Sequence, residues 1–503
     1  MGPIPGTCAD ERLRSRGVRA VILAGVRPGL RLMVVFAVGA VAAGCSPLNS
    51  IYSTLFGGPG SGPQPGQQGF VTGFLGEVVA DEPRAALAGR EVLSAGGNAA
   101  DAAVAVGLSL AVTLPSRAGI GGGGACIAFT ADPAKGTKGI PEAIMFVPPP
   151  ARSMGGGDRP AATPMLARGL FGLHARHGRL PFEFLINKAE QLARFGVPAS
   201  RALARDLILV AGPLLADPAA RAVFGPSGAP LTEGQGLIQP DLAAMLAQLR
   251  VSGVGDLYMG ALARRIEQTS PSAGTPIGMA DLRLALPTVA QPVPVAFGDD
   301  EVAFLPTEGG VGAAAAMMAL KSQPADGQAA LVRSLAAAAR WRLGGANSDQ
   351  VLNGPLTASA ETPLYPASTT FVTLDPDGNA VVCALTMNNL FGTGRMVPGL
   401  GFLTAASPSG VAPPLLAAGL VWNASKHAFH AAAGGSGQAG AALAAAVALI
   451  DSLRSGRAMP TAVPEPGRAN AIACAKYLPG SESSCTAATD PREAGLATGG
   501  GGS

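Results

Sequence analysis

The chain has 503 residues, of which 48% are hydrophobic and 14% charged, enough to bury a large core in one domain or several. A net charge of +3 is negligible over such a surface, and 4 Tyr and 2 Trp supply few rings for base stacking. This composition excludes nucleic acid as an expected partner.

Near the N-terminus Arg27 and Arg31 precede an apolar run from Leu32 to Ala43, followed by Gly44-Cys45-Ser46. Basic residues, an apolar stretch and small residues in that order are the pattern of an export signal. The run is too short to span a bilayer, which takes about 20 residues as a helix. Ala42-Ala43-Gly44-Cys45 also looks like a bacterial lipobox, with Cys45 as the lipidated residue of the mature protein. Ordinary signal-peptide cleavage is the alternative. The expected location is the periplasm, with contact to a membrane only through the lipid anchor. Residues 46–75 are rich in Gly, Pro, Gln and Ser and read as a solvated tether.

The folded part begins near Gly76 with a short strand, Val78-Val79-Ala80, after which Asp81 can cap a helix that has Pro83 in its first turn. A helix over Ala100–Val112 is apolar on every side and is expected to be buried on every side. Gly119-Ile120-Gly121-Gly122-Gly123-Gly124 satisfies a dinucleotide-binding pattern, but that pattern needs a helix next, and Ala125–Thr130 reads as a strand. A tight glycine loop between a helix and a strand is the expectation.

Helical segments fill the middle of the chain: Thr163–His177, Pro181–Phe195, Ser200–Leu209, Gln239–Val251, Gly255–Gln268, Gly278–Ala285 and Ala329–Leu343. Strands follow around Leu420–Val421 and His427–Ala433, then Gly434-Gly435, a buried helix over Gln438–Arg454, and strands around Ala471–Ala475 and Ser484–Ala488. Strands at both ends with helices between them suit two sheets covered by helices.

Ser368-Thr369-Thr370-Phe371-Val372-Thr373-Leu374-Asp375 and Ala380–Thr386, joined by Pro376-Asp377-Gly378-Asn379, form a β-hairpin with hydroxyl residues at its outer end. A hydroxyl at the start of a buried strand suits a self-cleaving hydrolase: cutting just before it frees an α-amino group that can serve as its general base. Read alone, the same hairpin is an ordinary strand pair with Thr chosen for β propensity.

Other chemistries find less support. His174/His177 and His427/His430 lack a third ligand cluster, so no metal is expected. No G-x-S-x-G elbow occurs, and no Lys has a Ser three residues before it. Cys474 and Cys485 are expected to form a disulfide in a loop-rich tail, and Cys126 and Cys383 to be buried thiols in apolar strands.

Six ordered motifs resemble those of the γ-glutamyltranspeptidases, of the N-terminal-nucleophile hydrolase class. They are Gly96–Ala105, the Gly119–Gly124 loop, Asp377–Val381, Phe391-Gly392-Thr393-Gly394, Gly434-Gly435-Ser436 and Ala488-Thr489-Asp490-Pro491-Arg492, and the resemblance covers nearly all of residues 76–497. It implies an α+β fold, a four-layer αββα sandwich with two mostly antiparallel sheets, and no cofactor. It also implies one chain cut between Ala367 and Ser368 into a large fragment (76–367) and a small one (368–497), followed by a short disordered tail (498–503). The two fragments are then each other's partners.

The family nucleophile is the first Thr of a Thr-Thr-His sequence. An ungapped match from Asp377-Gly378-Asn379 puts Ser368 there and Thr369 beside it, and a shift of one residue would make Thr369 the nucleophile. Thr386 matches a Thr that bonds to the nucleophile, Asn388 a substrate-contacting Asn, and Gly434/Gly435 the oxyanion hole, whose N–H groups would stabilise a tetrahedral intermediate.

The substrate head-group positions depart from the family. Val147 stands for its carboxylate-clamping Arg, Ser407 and Gly410 for the Gln and Asp that hold the amino group, and Leu416-Ala417 for a Ser-Ser pair. Arg117 is a substitute cation or, more simply, half of a surface salt bridge. The expected function is an exported amidohydrolase acting on γ-glutamyl or other small amides, with water favoured over transfer. An acylase for another side chain and a non-catalytic envelope binding protein are the alternatives.

Overall fold

The computed structural model describes residues 73–132, 139–155, 157–322, 327–355 and 359–499. The export segment with Cys45 and nearly all of the tether lie outside the described residues.

Two antiparallel sheets form the centre. The first contains β1 (Glu77–Ala80), β2 (Gly123–Phe129), β3 (Glu142–Phe146), β4 (Thr288–Ala290), β7 (Ser368–Leu374), β8 (Ala380–Thr386) and β13 (Leu496–Thr498), in the order β13-β1-β7-β8-β2-β3-β4. The second contains β5 (Val293–Phe297), β6 (Asp300–Phe304), β9 (Ala417–Asn423), β10 (Ala428–Ser436), β11 (Arg468–Leu478) and β12 (Cys485–Thr489), in the order β12-β11-β10-β9-β6-β5. The inward faces meet in a core that includes Val372, Leu374, Val382, Leu420, Ala432 and Ile472.

Helices α1 (Pro83–Ser94), α2 (Ala99–Thr113) and α3 (Leu166–His177) cover the outer face of the first sheet, α4 (Phe182–Phe195) packs on α2, and α5 (Pro240–Ser252) packs on α4. Helices α6 (Glu308–Ser322) and α8 (Ala441–Ser455) cover the second, and α7 (Gly327–Arg342) packs on both of them. The molecule is therefore an αββα sandwich.

Local chemistry sets the element ends. All fifteen residues of α2 are buried, and Asn98 and Asp101 form a reciprocal capping box at its start. The hairpin turn is tied to that helix: the Asp375 carboxylate accepts from Ala99 N, Asp377 N, Asn379 N and Asn379 Nδ2. At α1 the cap is Glu82, whose carboxylate accepts from Ala85 N at 2.9 Å, and not the expected Asp81. The helix expected over Gly255–Gln268 is two helices broken at Gly260, where the Asp256 carboxylate takes Ala261 N and caps the second.

Gly434-Gly435 lie inside β10 and do not follow it as a turn, and Thr498, expected in the tail, closes β13. Cys126 and Cys383 are not free thiols. They face each other directly across β2 and β8 and form a disulfide. Both cysteines lie in apolar strands as expected, but the register that sets them opposite is decided by tertiary pairing. Cys474 and Cys485 are likewise bonded, within the β11–β12 ladder and not in a loop.

Candidate active site

Alternation along β7 divides its hydroxyls between two environments. Ser368 and Thr370 lie directly opposite Thr386 and Ala384 of β8, on the face that meets the second sheet. Thr369 is opposite Leu385, whose side chain belongs to the helix-covered core. Ser368 and Thr386 therefore share one face, and Thr369 points from the other.

The Thr386 hydroxyl donates to the carbonyl oxygen of Ala367 at 2.8 Å and accepts from Asn388 N at 2.8 Å. The Asn388 N–H occupies an acceptor lone pair of that hydroxyl, which directs its proton towards the Ala367 oxygen. Met387 N supplies a second, longer bond to the same oxygen, at 3.4 Å. Two donors thus converge on the carbonyl of the Ala367–Ser368 bond, the arrangement that stabilises a developing oxyanion. Asn388 holds its left-handed φ of 61° while its side-chain amide donates to Ala406 O.

Asp81, displaced from helix capping, is the residue that sequence reasoning missed. Its carboxylate accepts from Thr369 Oγ1 at 2.7 Å, Thr370 N at 3.2 Å and Asn470 Nδ2 at 2.6 Å. Asn470 also donates to Thr370 O at 2.8 Å, so β1, β7 and β11 are tied together one residue beyond Ser368. The Thr369 hydroxyl is committed to this carboxylate. Ser368 Oγ has no hydrogen-bond partner among the described residues, and the residue is only 2% exposed. The available signal for Asp81 was the pair Asp81-Glu82 before Pro83, one acid more than a cap requires.

The glycine loop has a steric function. A Cβ on Gly122 would lie 2.3 Å from Thr386 O, and one on Gly119 would lie 2.9 Å from Met387 Sδ. Side chains here would push away the strand end that carries both donors. Gly434 faces Thr370 across the sheets, with 2.6 Å between its would-be Cβ and Thr370 Cβ. A Cβ on Gly435 would lie 2.0 Å from Ala441 O. Close packing accounts for glycine at both positions.

Arg117 is no surface salt bridge. It is buried, with Nε and Nη2 on the two oxygens of Asp206 at 2.8 and 2.9 Å, and Glu493 lies 3.8 Å away. Burial works against the charge, but Asp206 and Glu493 more than offset it and push the guanidinium further up from its already high range. Its two carboxylate bonds leave it no fork for a substrate.

Of the head-group positions, Val147 is exposed, Ser407 bonds to Ser409, and Leu416 and Ala417 are buried between the sheets or under their helices. His174 and His177 end α3, and His430 pairs with Asp300 at 2.6 Å. Among the described residues no group of three or more His, Cys, Asp or Glu is placed to hold a metal.

The family model for gamma-glutamyltranspeptidase matches residues 85–346, just over half of the sequence. The chain belongs to the γ-glutamyltranspeptidase family. Among relatives of this γ-glutamyltranspeptidase-family chain, glutathione hydrolase 3 of Arabidopsis thaliana is 32% identical over 41% of this chain and 34% of its own. The acylase ACY 1 proenzyme of Pseudomonas sp. (strain SE83) is 33% identical over 42% of this chain and 41% of its own. The glutathione hydrolase proenzyme of Escherichia coli (strain K12) is 27% identical over 65% of each. The chain thus spans well under half the length of the first two relatives. Among solved structures, cephalosporin acylase from Bacillus halodurans superposes with a TM-score of 0.68 at 18% identity, over 88% of this chain and 98% of that one. At that identity the likeness establishes the shared fold.

Proposed function

We propose that this protein is an amidohydrolase of the γ-glutamyltranspeptidase family that cuts itself between Ala367 and Ser368 and then works through an acyl-Ser368 intermediate. The observation that carries the reading is the pair of donors, Thr386 Oγ1 and Met387 N, on the Ala367 carbonyl, with Ser368 on the same strand face. In maturation Ser368 Oγ adds to the Ala367 carbonyl carbon, and the C–N bond breaks as the hydroxyl proton passes to the departing nitrogen. Water then hydrolyses the resulting ester, leaving Ala367 with a carboxylate and Ser368 with a free amine. In turnover that amine takes the Ser368 hydroxyl proton, the oxygen attacks the substrate amide, and the proton leaves with the amine product. Water completes the cycle. Proenzyme relatives in Escherichia coli and Pseudomonas support processing.

The uncharged residues Val147, Ser407, Leu416 and Ala417 at the head-group positions favour an acyl donor other than γ-glutamyl and give an amino-acid acceptor no charged contact there, so water is the second substrate. Export with lipidation at Cys45 fits two disulfides, which persist in an oxidising compartment. Fractionation of a Cys45→Ala variant tests the anchor: it should leave the membrane fraction.

N-terminal sequencing of the smaller fragment on a reducing gel tests the cleavage. Ser368 is expected as its first residue, with Ser368→Ala uncut and Thr369→Ala still cut. A chain that stays intact sinks the enzyme reading in favour of a binding protein. Glutamate release from a γ-glutamyl anilide, expected to be negligible, separates the acylase from the glutathione hydrolase activity.

A further inference from the structure

The residues before the cut form the acyl half of the bond that Ser368 breaks, so their path through the protein marks where an acyl donor would lie. Three contacts hold that path. Ala360 N donates to Leu335 O at 3.0 Å, the carbonyls of Pro363 and Leu364 both accept from Gln438 Nε2, and Ala367 O accepts from Thr386 and Met387. Gln438 is built for this position. It has a left-handed φ of 51°, a conformation that disfavours any non-glycine residue. It sits between Gly437 and Gly440, where a Cβ would lie 2.0 Å from Pro466 O or 2.7 Å from Gly467 Cα. Its backbone is therefore pressed against the 464–467 segment while its amide reaches the chain ahead of Ser368.

We propose that Gln438 is the outer acyl-donor contact of the mature enzyme, its amide binding a carbonyl of a peptide-like acyl group three residues upstream of the bond broken. The inference rests on the cleavage reading and adds a substrate class to it. Once the segment before Ala367 withdraws, the Gln438 amide loses both carbonyls and offers its donors to whatever occupies the same path. Leu364 O is three residues from Ala367 O, at most roughly 10 Å of chain, and the path bends at Leu364 and Tyr365. A γ-glutamyl group has no backbone carbonyl to stand where those of Pro363 and Leu364 meet Gln438. A peptidyl group supplies one.

Steady-state kinetics of the mature enzyme on two anilides tests this. One is acetyl-Pro-Leu-Tyr-Pro-Ala-p-nitroanilide, the chain's own sequence up to the cut, and the other is acetyl-Ala-p-nitroanilide. The long substrate is expected to show a KM about tenfold below the short one. Gln438→Leu and Gln438→Glu should each remove that advantage while leaving kcat/KM for the short substrate within about twofold. Equal KM values in the wild type, or variants that slow both substrates alike, overturn the inference and leave the cleavage reading standing. A chain found uncut at Ala367–Ser368 removes both. Melting curves of the two variants, alike in backbone strain, separate loss of contact from loss of fold.

Discussion

Asp81 lies in the first sheet's β1–α1 connection, yet its carboxylate is the meeting point of donors from β7 and β11. Removing it strands a buried hydroxyl, a backbone N–H and an amide together. Asp81→Ala is expected to cost about 3 kcal/mol, read as a lower urea midpoint in the uncut Ser368→Ala background so that chemistry does not confuse the measurement. Cleavage of the otherwise wild-type chain should slow as well, because Thr369 and Thr370 fix the strand that presents Ser368. This role was illegible in the sequence, since two adjacent acids compete for one helix cap and only the folded geometry assigns Glu82 to it.

Glu77, at the start of β1, carries a different consequence. Burial raises its carboxyl to about 7 and the Arg90 charge only partly opposes this. The folded state therefore holds the proton more tightly than the unfolded chain does. Stability from this group is full below the unfolded value near 4.5 and is lost as pH rises through about 7. Relative to Glu77→Gln, the wild type should lose about 2 kcal/mol between pH 5 and pH 8, measured by urea unfolding at each pH.

At the scale of elements, the hairpin, the buried helix and the glycine loop could be read from alternation, all-round apolarity and punctuation, because each signal is local. What could not be read was how elements meet. Gly434 was expected just past the strand over His427–Ala433, but it is a strand position that lets β10 approach Thr370 of β7. Gly434→Ala would place a carbon 2.6 Å from Thr370 Cβ and is expected to destabilise by about 2 kcal/mol. Thr370→Gly removes the opposing carbon, so the double variant should recover part of that loss. A coupling of about 1 kcal/mol in the double-mutant cycle is the expected result, and additivity would show that the two strands do not press on each other there.

For the whole molecule, the proposed cut at Ala367–Ser368 would divide the first sheet between two chains. Strands β1, β2, β3 and β4 would fall to the large fragment and β7, β8 and β13 to the small one, so that β7 and β8 lie between strands of the other fragment. The Cys126–Cys383 disulfide bridges β2 and β8 across that division, joining residues 257 apart. Before the cut it closes a long loop and on chain-entropy grounds stabilises by about 5 kcal/mol. After such a cut it would be the only covalent tie among the described residues between the fragments, because Cys474–Cys485 would lie wholly in the small one.

The mature protein should therefore run as a single band on a denaturing gel without reductant, and as two bands once reductant is added. Cys126→Ser with Cys383→Ser should give two bands in either case and a melting temperature that falls on dilution, since the fragments then associate as separate molecules. Wild-type protein alkylated before denaturation that still separates without reductant would show the two cysteines unbonded. Peptide mapping under non-reducing conditions reads the same bond even in a chain that never cuts. Its outcome bears on the compartment too, because a buried cross-strand disulfide that forms during folding requires an oxidising environment from the start.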